Sequence, residues 1–185
     1  MADKGLRPGT LRSALTALAV LALTGLSTLP AVAQSARETP GARSAPRATG
    51  LPLPRFASLH ASEVYMRAGP GTRYPVEWIY KRRGLPVEII AEFDTWRKVR
   101  DWTGTVGWIH RAMLSGKRTG ITISAETVLR RNPAGDAASV ARAEPGVVAE
   151  IETCEGAWCQ VTARGLTGWA ARSQLWGVYP REKLN

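Results

Sequence analysis

The strongest constraint on this chain is that its second half repeats its first in unbroken order. Met66-Arg67-Ala68-Gly69-Pro70 corresponds to Leu129-Arg130-Arg131-Asn132-Pro133, and Gly84-Leu85-Pro86-Val87-Glu88-Ile89 to Pro145-Gly146-Val147-Val148-Ala149-Glu150-Ile151. Trp96-Arg97-Lys98-Val99 corresponds to Trp158-Cys159-Gln160-Val161, and Gly107-Trp108-Ile109 to Gly168-Trp169-Ala170. The offset stays between 61 and 63 residues, so one folding unit has been duplicated. Two copies are too few for a stacked array, and each is expected to close its own small core.

Each copy reads as short strands separated by turns. In the first, strands are predicted at Val64 to Arg67, Val87 to Phe93, Trp96 to Arg100 and Thr105 to His110, with Gly69-Pro70-Gly71 and Asp101 to Gly104 as turns. Arg111 to Leu114 reads as a single helical turn. The second copy repeats the pattern from Thr127 to Leu175. About five strands in so short a unit predict an all-β fold of two small closed barrels, since closure removes exposed sheet edges. Such a unit is near the lower limit for a stable core.

The opening string Met66-Arg67-Ala68-Gly69-Pro70-Gly71-Thr72-Arg73-Tyr74-Pro75 resembles the start of bacterial SH3-like (SH3b) domains, and Trp96-Arg97-Lys98-Val99 and Gly107-Trp108-Ile109 complete that pattern. Arg82-Arg83-Gly84-Leu85-Pro86-Val87 is similar to the middle of an exported subgroup. The second copy departs at Asn132 and Ala134, where the first has Gly69 and Gly71, which predicts a differently shaped loop. The resemblance implies SH3-like barrels in tandem at residues 58–117 and 118–178. It also implies a binding role toward cell-wall peptides, glycans or protein partners.

What precedes the repeat reads as an address and a tether. Lys4, Arg7 and Arg12 precede the apolar run Ala14 to Leu23, and Ala31-Val32-Ala33 supplies a cut site, so residues 1–33 are expected to be a secretory signal peptide. Gly25 and Pro30 interrupt the run and disfavour an uncleaved membrane anchor. Residues 34–57 carry Pro40, Pro46, Pro52 and Pro54 among small and charged residues and are expected to form a disordered linker. Residues 179–185 are left as a C-terminal tail.

Charge and location bound the partners. The signal segment takes three of the 25 basic and one of the 15 acidic residues, leaving a net charge of +8 on a mature chain with no transmembrane segment. Export points to the periplasm, with secretion as the alternative. There the excess charge suits an anionic envelope surface, peptidoglycan or an envelope protein, rather than nucleic acid. Cys154 and Cys159 flank a turn between neighbouring strands, and opposed residues in a hairpin lie close enough for a disulfide in an oxidising compartment.

No catalytic constellation emerges. His60 and His110 are the only histidines; there is no His-Glu-x-x-His stretch and no Gly-x-Ser-x-Gly elbow. Ser115-Gly116-Lys117-Arg118-Thr119 lacks the upstream glycine of a phosphate loop, because Arg111 stands there. The chain is therefore expected to be a non-catalytic binding module without cofactor or metal. The alternatives are an adaptor for an envelope protein and an accessory to a cell-wall hydrolase.

Ligand contact is expected on the first copy. Tyr74, Trp78 and Tyr80 fall in its long connection, whereas Asp136 to Ala143 contains no aromatic residue. A core requirement should hold in both copies, while a ligand requirement need not. Tyr65 alternates with core-type neighbours and should face outward, and Arg73, Lys81, Arg82 and Arg83 could pair with ligand carboxylates. Trp102 lies in a turn of the first copy alone. Trp96, Trp108, Trp158 and Trp169 recur and are assigned to structural support. Arg67 and Arg130 also recur and are expected to hold the following loop through backbone carbonyls.

Overall fold

A computed structural model describes residues 49–184. The signal peptide expected at 1–33 and the linker up to residue 48 lie outside the described residues. The first copy contains β1 (Arg55–Leu59), β2 (Val64–Arg67), β3 (Val76–Tyr80), β4 (Pro86–Phe93), β5 (Trp96–Arg100), β6 (Val106–His110), a 3-10 turn (Arg111–Met113) and β7 (Leu114–Ser115). The second contains β8 (Thr119–Thr122), β9 (Thr127–Arg130), β10 (Ser139–Ala143), β11 (Val148–Glu155), β12 (Trp158–Ala163), β13 (Leu166–Ala171), a 3-10 turn (Arg172–Gln174) and β14 (Leu175–Trp176). Among the described residues no helix is long and apolar enough to cross a membrane.

The two sheets have the same topology. One runs β3-β2-β6-β5-β4-β1-β7 and the other β10-β9-β13-β12-β11-β8-β14, so each strand of the first copy has its counterpart seven elements later. The chain is all-β, two SH3-like units in tandem, hereafter barrels 1 and 2. Among the described residues the strand order of each sheet is linear, with β3 and β10 as edge strands.

The structure corrects three sequence expectations. Arg55 to Ala57 belong to β1 rather than to a disordered linker, because β1 is laddered to both β4 and β7. Residues 179–184 are not a loose tail: Leu184 bridges Cys154, and Tyr179 packs on Phe56 with ring centroids 4.6 Å apart. The Gly69 and Asn132 loops share one backbone shape. Gly71 N–H donates to Gly69 O at 2.9 Å, and Ala134 N–H to Asn132 O at 2.8 Å. Neither glycine has a positive φ, so the backbone shape itself does not demand glycine at either position.

Each barrel has its own apolar cluster, and the two are joined. Leu59, Val64, Met66, Val87, Val99 and Ile109 centre the first; Leu129, Ile151, Val161, Ala170 and both cysteines centre the second. Ile121 of β8 is 2% exposed and belongs to the cluster of barrel 1, with Val148 and Trp176 packed against it. Polar contacts reinforce the junction. Thr119 Oγ1 donates to Gly84 O at 2.7 Å, Arg82 to Gly146 O at 2.9 Å and the Tyr179 hydroxyl to Glu88 at 2.9 Å. Gly177 allows the close approach. Its φ is +122°, and a Cβ there would lie 2.4 Å from Thr119 O and 3.3 Å from Pro86 Cβ.

Candidate functional site

Strand register determines what the outer face of barrel 1 presents. Val64 and Met66 point into the core, so Tyr65 and Arg67 between them point out. Tyr65 opposes Ile79, and a register shift lets Arg67 oppose Val76. Arg67 also opposes Trp108, which opposes Lys98. Directly opposed residues share a face. The outer face therefore carries a row Val76–Arg67–Trp108–Lys98 across four strands, with Ile79–Tyr65 beside it. Tyr65 is 46% and Ile79 44% exposed. Exposed apolar side chains gathered in this way mark an interaction surface.

The equivalent face of barrel 2 is different. Its row is Ser139–Arg130–Trp169–Gln160, and Arg142–Val128 replace Ile79–Tyr65. The arginine and tryptophan recur while the exposed aliphatic and tyrosine positions do not.

The recurring arginines hold loops. Arg67 donates to the carbonyls of Thr72 (3.1 Å) and Tyr74 (2.7 Å), and Arg130 to that of Ala137 (2.7 Å). Tyr74 is half-buried: its ring lies over Gly69, 2.5 Å from where a Cβ would stand, and the Arg73 guanidinium stacks on the ring at 5.2 Å from its centroid. Barrel 2 has Ala137 at the place of Tyr74, which leaves room for the Asn132 side chain.

Other residues of the expected ligand cluster lie elsewhere. Tyr80 is 3% exposed in the core, and its hydroxyl donates to Asp101 Oδ2 at 2.9 Å. Burial, and then the Asp101 carboxylate, push that phenol above its usual range. Tyr80 is thus unavailable to a ligand, because it opposes inward-facing Val64. Trp78 opposes Met66 and so shares the inner side, yet it is 54% exposed at the free edge of β3. Trp102 is half-buried against the core of barrel 1. Arg82 is engaged with barrel 2, and Arg83 is exposed. Sequence reasoning missed Val76 and Ile79, whose strand shows no clean alternation, and gave Trp108 a supporting role alone.

Trp96 and Trp158 sit at equivalent hairpin positions; Trp96 meets the His110 ring edge-on at 5.3 Å. Beside them the copies use different chemistry. Cys154 directly opposes Cys159 and the pair forms a disulfide. In barrel 1 the equivalent opposed pair is Glu92 and Arg97, 3.2 Å apart, with Arg55 joining at 2.5 Å. Burial opposes ionisation of Glu92, but hydrogen bonds from the Thr49 N–H, Arg55 and the Thr49 hydroxyl, with the charge of Arg97, outweigh it. They hold the carboxyl at about 2. Among the described residues no cluster of three or more metal-ligating side chains occurs.

Comparison with known proteins gives a consistent assignment of the repeat. The family described as bacterial SH3 domain matches residues 60–116 and 124–177. No curated protein sequence matches the chain. Among solved structures, NlpC2 from Trichomonas vaginalis is 13% identical with a TM-score of 0.33, covering 70% of this chain and 50% of that one. NlpC1 from Trichomonas vaginalis is 14% identical with a TM-score of 0.31, covering 70% and 48%. The chain thus spans about half the length of either.

Proposed function

This chain belongs to the bacterial SH3 domain family, and from that premise we propose that it is an exported, periplasmic, non-catalytic module that binds peptidoglycan fragments through the outer face of barrel 1. The observation that carries the reading is the asymmetry between the copies. Val76, Ile79 and Tyr65 form an exposed apolar patch where barrel 2 has Ser139, Arg142 and Val128. Aromatic and aliphatic surface suits sugar faces, and Lys98 beside Trp108 supplies positive charge for wall-peptide carboxylates. The disulfide and the amino-terminal sequence both support export to an oxidising compartment.

Retention on purified peptidoglycan tests this. The double variant Tyr65→Ala/Ile79→Ser should lose most retention, and Val128→Ala in barrel 2 should lose none. Moderate salt should weaken the wild type, because part of the attraction is ionic. Undiminished retention of the folded double variant removes the site. Crosslinking in cells that captures one envelope protein, with no response to wall fragments, favours the adaptor alternative.

A further inference from the structure

Barrel 2 holds part of its own chain in a cleft that, among the described residues, stays open in barrel 1. After β14 the chain turns back across the 3-10 turn. Arg172 donates to the main-chain carbonyls of Tyr179 (2.7 Å) and Glu182 (2.9 Å). Leu184 O accepts from Cys154 N–H at 3.1 Å, and the Glu182 carboxylate pairs with Arg118. A segment that turns at Tyr179 to Glu182, where the Glu182 N–H donates to Tyr179 O at 3.2 Å, is thus seated by carbonyls on one arginine, a carboxylate on another and a bridge to the hairpin.

Barrel 1 has the same receptor. Arg111 stands where Arg172 does: the two backbone N–H groups donate at 2.8 Å to Thr95 and Ala157, the residues just before the hairpin tryptophans. Arg55 stands where Arg118 does, each placed against the isoleucine of the long strand, Ile89 or Ile151. Between them opens a cleft of about 530 Å³, walled by Arg55, Phe56, Ile89, Arg97, Arg111 and Leu114. That volume lies within the range of ligand sites. Three arginines face one nearby carboxylate, Glu92, which already pairs with Arg55 and Arg97. The Arg111 side chain is exposed and makes no hydrogen bond or ion pair among the described residues. Thr49 bonds Glu92 at the hairpin end, much as Leu184 bonds Cys154. No described residue takes the place that residues 178–182 fill in barrel 2.

We propose that this cleft is a docking site for a turn-forming, carboxylate-bearing peptide segment of a partner protein, seated as barrel 2 seats residues 178–184. Arg111 would receive main-chain carbonyls, the arginine excess a carboxylate, and the Phe56–Ile89–Leu114 wall an apolar side chain. Arg97 and Lys98 are neighbours on β5 and point to opposite faces. The cleft is therefore a different surface from the outer face assigned to peptidoglycan.

The test is an NMR titration of the full chain with an end-capped synthetic peptide having the sequence of residues 178–184. Saturable shifts are expected at the amides of Ile89, Ala112 and Leu114. Affinity should fall about tenfold for Arg111→Ala and for the probe carrying Glu182→Gln, as expected for loss of a charge-assisted hydrogen bond. Arg111→Glu should abolish binding with an unchanged thermal transition, which separates lost contact from lost folding. Tyr65→Ala should leave the titration unaltered. No shifts at millimolar probe, shifts confined to barrel 2, or affinity indifferent to Arg111 would each overturn the proposal.

Discussion

Ile121 carries a barrel 2 strand into the core of barrel 1, and Ile121→Ala measures how strongly the two barrels are coupled. Its backbone is laddered within barrel 2, opposite Val148 and Trp176, while its side chain lies in the cluster of barrel 1. At 2% exposure it has no solvent route to relieve a void. Truncating such a residue removes its transfer free energy and leaves a cavity, a loss of about 3 kcal/mol within the usual 2–5 range. Unfolding entropy is about 2.1 cal/mol/K per residue, so a unit the length of residues 49–184 should lose roughly 10 °C in Tm. Calorimetry gives the Tm. Hydrogen exchange at Val87 and Val99 in one barrel, and at Val161 and Ala170 in the other, shows where the loss falls. A single transition is expected, with both sets of amides losing the same protection. If the barrel 1 amides keep wild-type protection while barrel 2 opens, the shared core is not energetically shared and the reasoning fails.

Three further outcomes follow from the geometry. Tyr80→Phe removes the donor to Asp101 Oδ2, while Thr103 and Thr105 still bond Oδ1, so about 1–2 kcal/mol of stability should go with peptidoglycan retention intact; lost retention in a folded protein would return Tyr80 to the ligand site. Glu92 is held at about 2 against 4.5, so its contribution is complete above about pH 4.5 and disappears as pH falls toward 2. The urea midpoint should drop across that window and Glu92→Gln should flatten the drop, whereas parallel acid limbs would refute the linkage. Cys154 and Cys159 are both buried and close a short loop, so the bond should resist reductant in the native state and its loss should cost about 2 kcal/mol; rapid thiol release from folded protein would contradict the burial.

Much of the architecture was legible because duplication exposes what a core demands. The tryptophan hairpins, the Gly-Trp strands and the loop arginines recur at one offset, and the two sheets then have one topology. What escaped was whatever lacks a local signal. β3 reads Val-Glu-Trp-Ile-Tyr, and with a free edge only Tyr80 is buried, so no period of two appears. The register shift between Met66 and Arg67 decides which of Val76, Trp78 and Ile79 face outward, and one extra residue in a strand leaves no compositional trace. β1 was hidden by Pro52 and Pro54, although a strand can begin directly after a proline. Ile121 looks like any strand isoleucine, and nothing in its neighbours says that it fills another unit's core.

The differences between the copies fall outside what the fold requires, and they all run in one direction. At the hairpin, barrel 2 has a disulfide where barrel 1 has the Glu92–Arg97 pair. At the cleft, barrel 2 is covered by residues 178–184, while among the described residues none covers Arg111 in barrel 1. On the outer face, barrel 2 offers Ser139 and Arg142 where barrel 1 offers Val76 and Ile79. Barrel 2 has thus covered its own cleft and joins barrel 1 through Ile121, Trp176 and Tyr179. A free edge and exposed apolar groups are liabilities in a protein that needs neither. Both copies carry such liabilities, since β10 also ends its sheet and Val140 and Leu166 are exposed; what distinguishes barrel 1 is the Val76–Ile79–Tyr65 patch and the cleft at Arg111, the two surfaces on which the proposed binding roles rest.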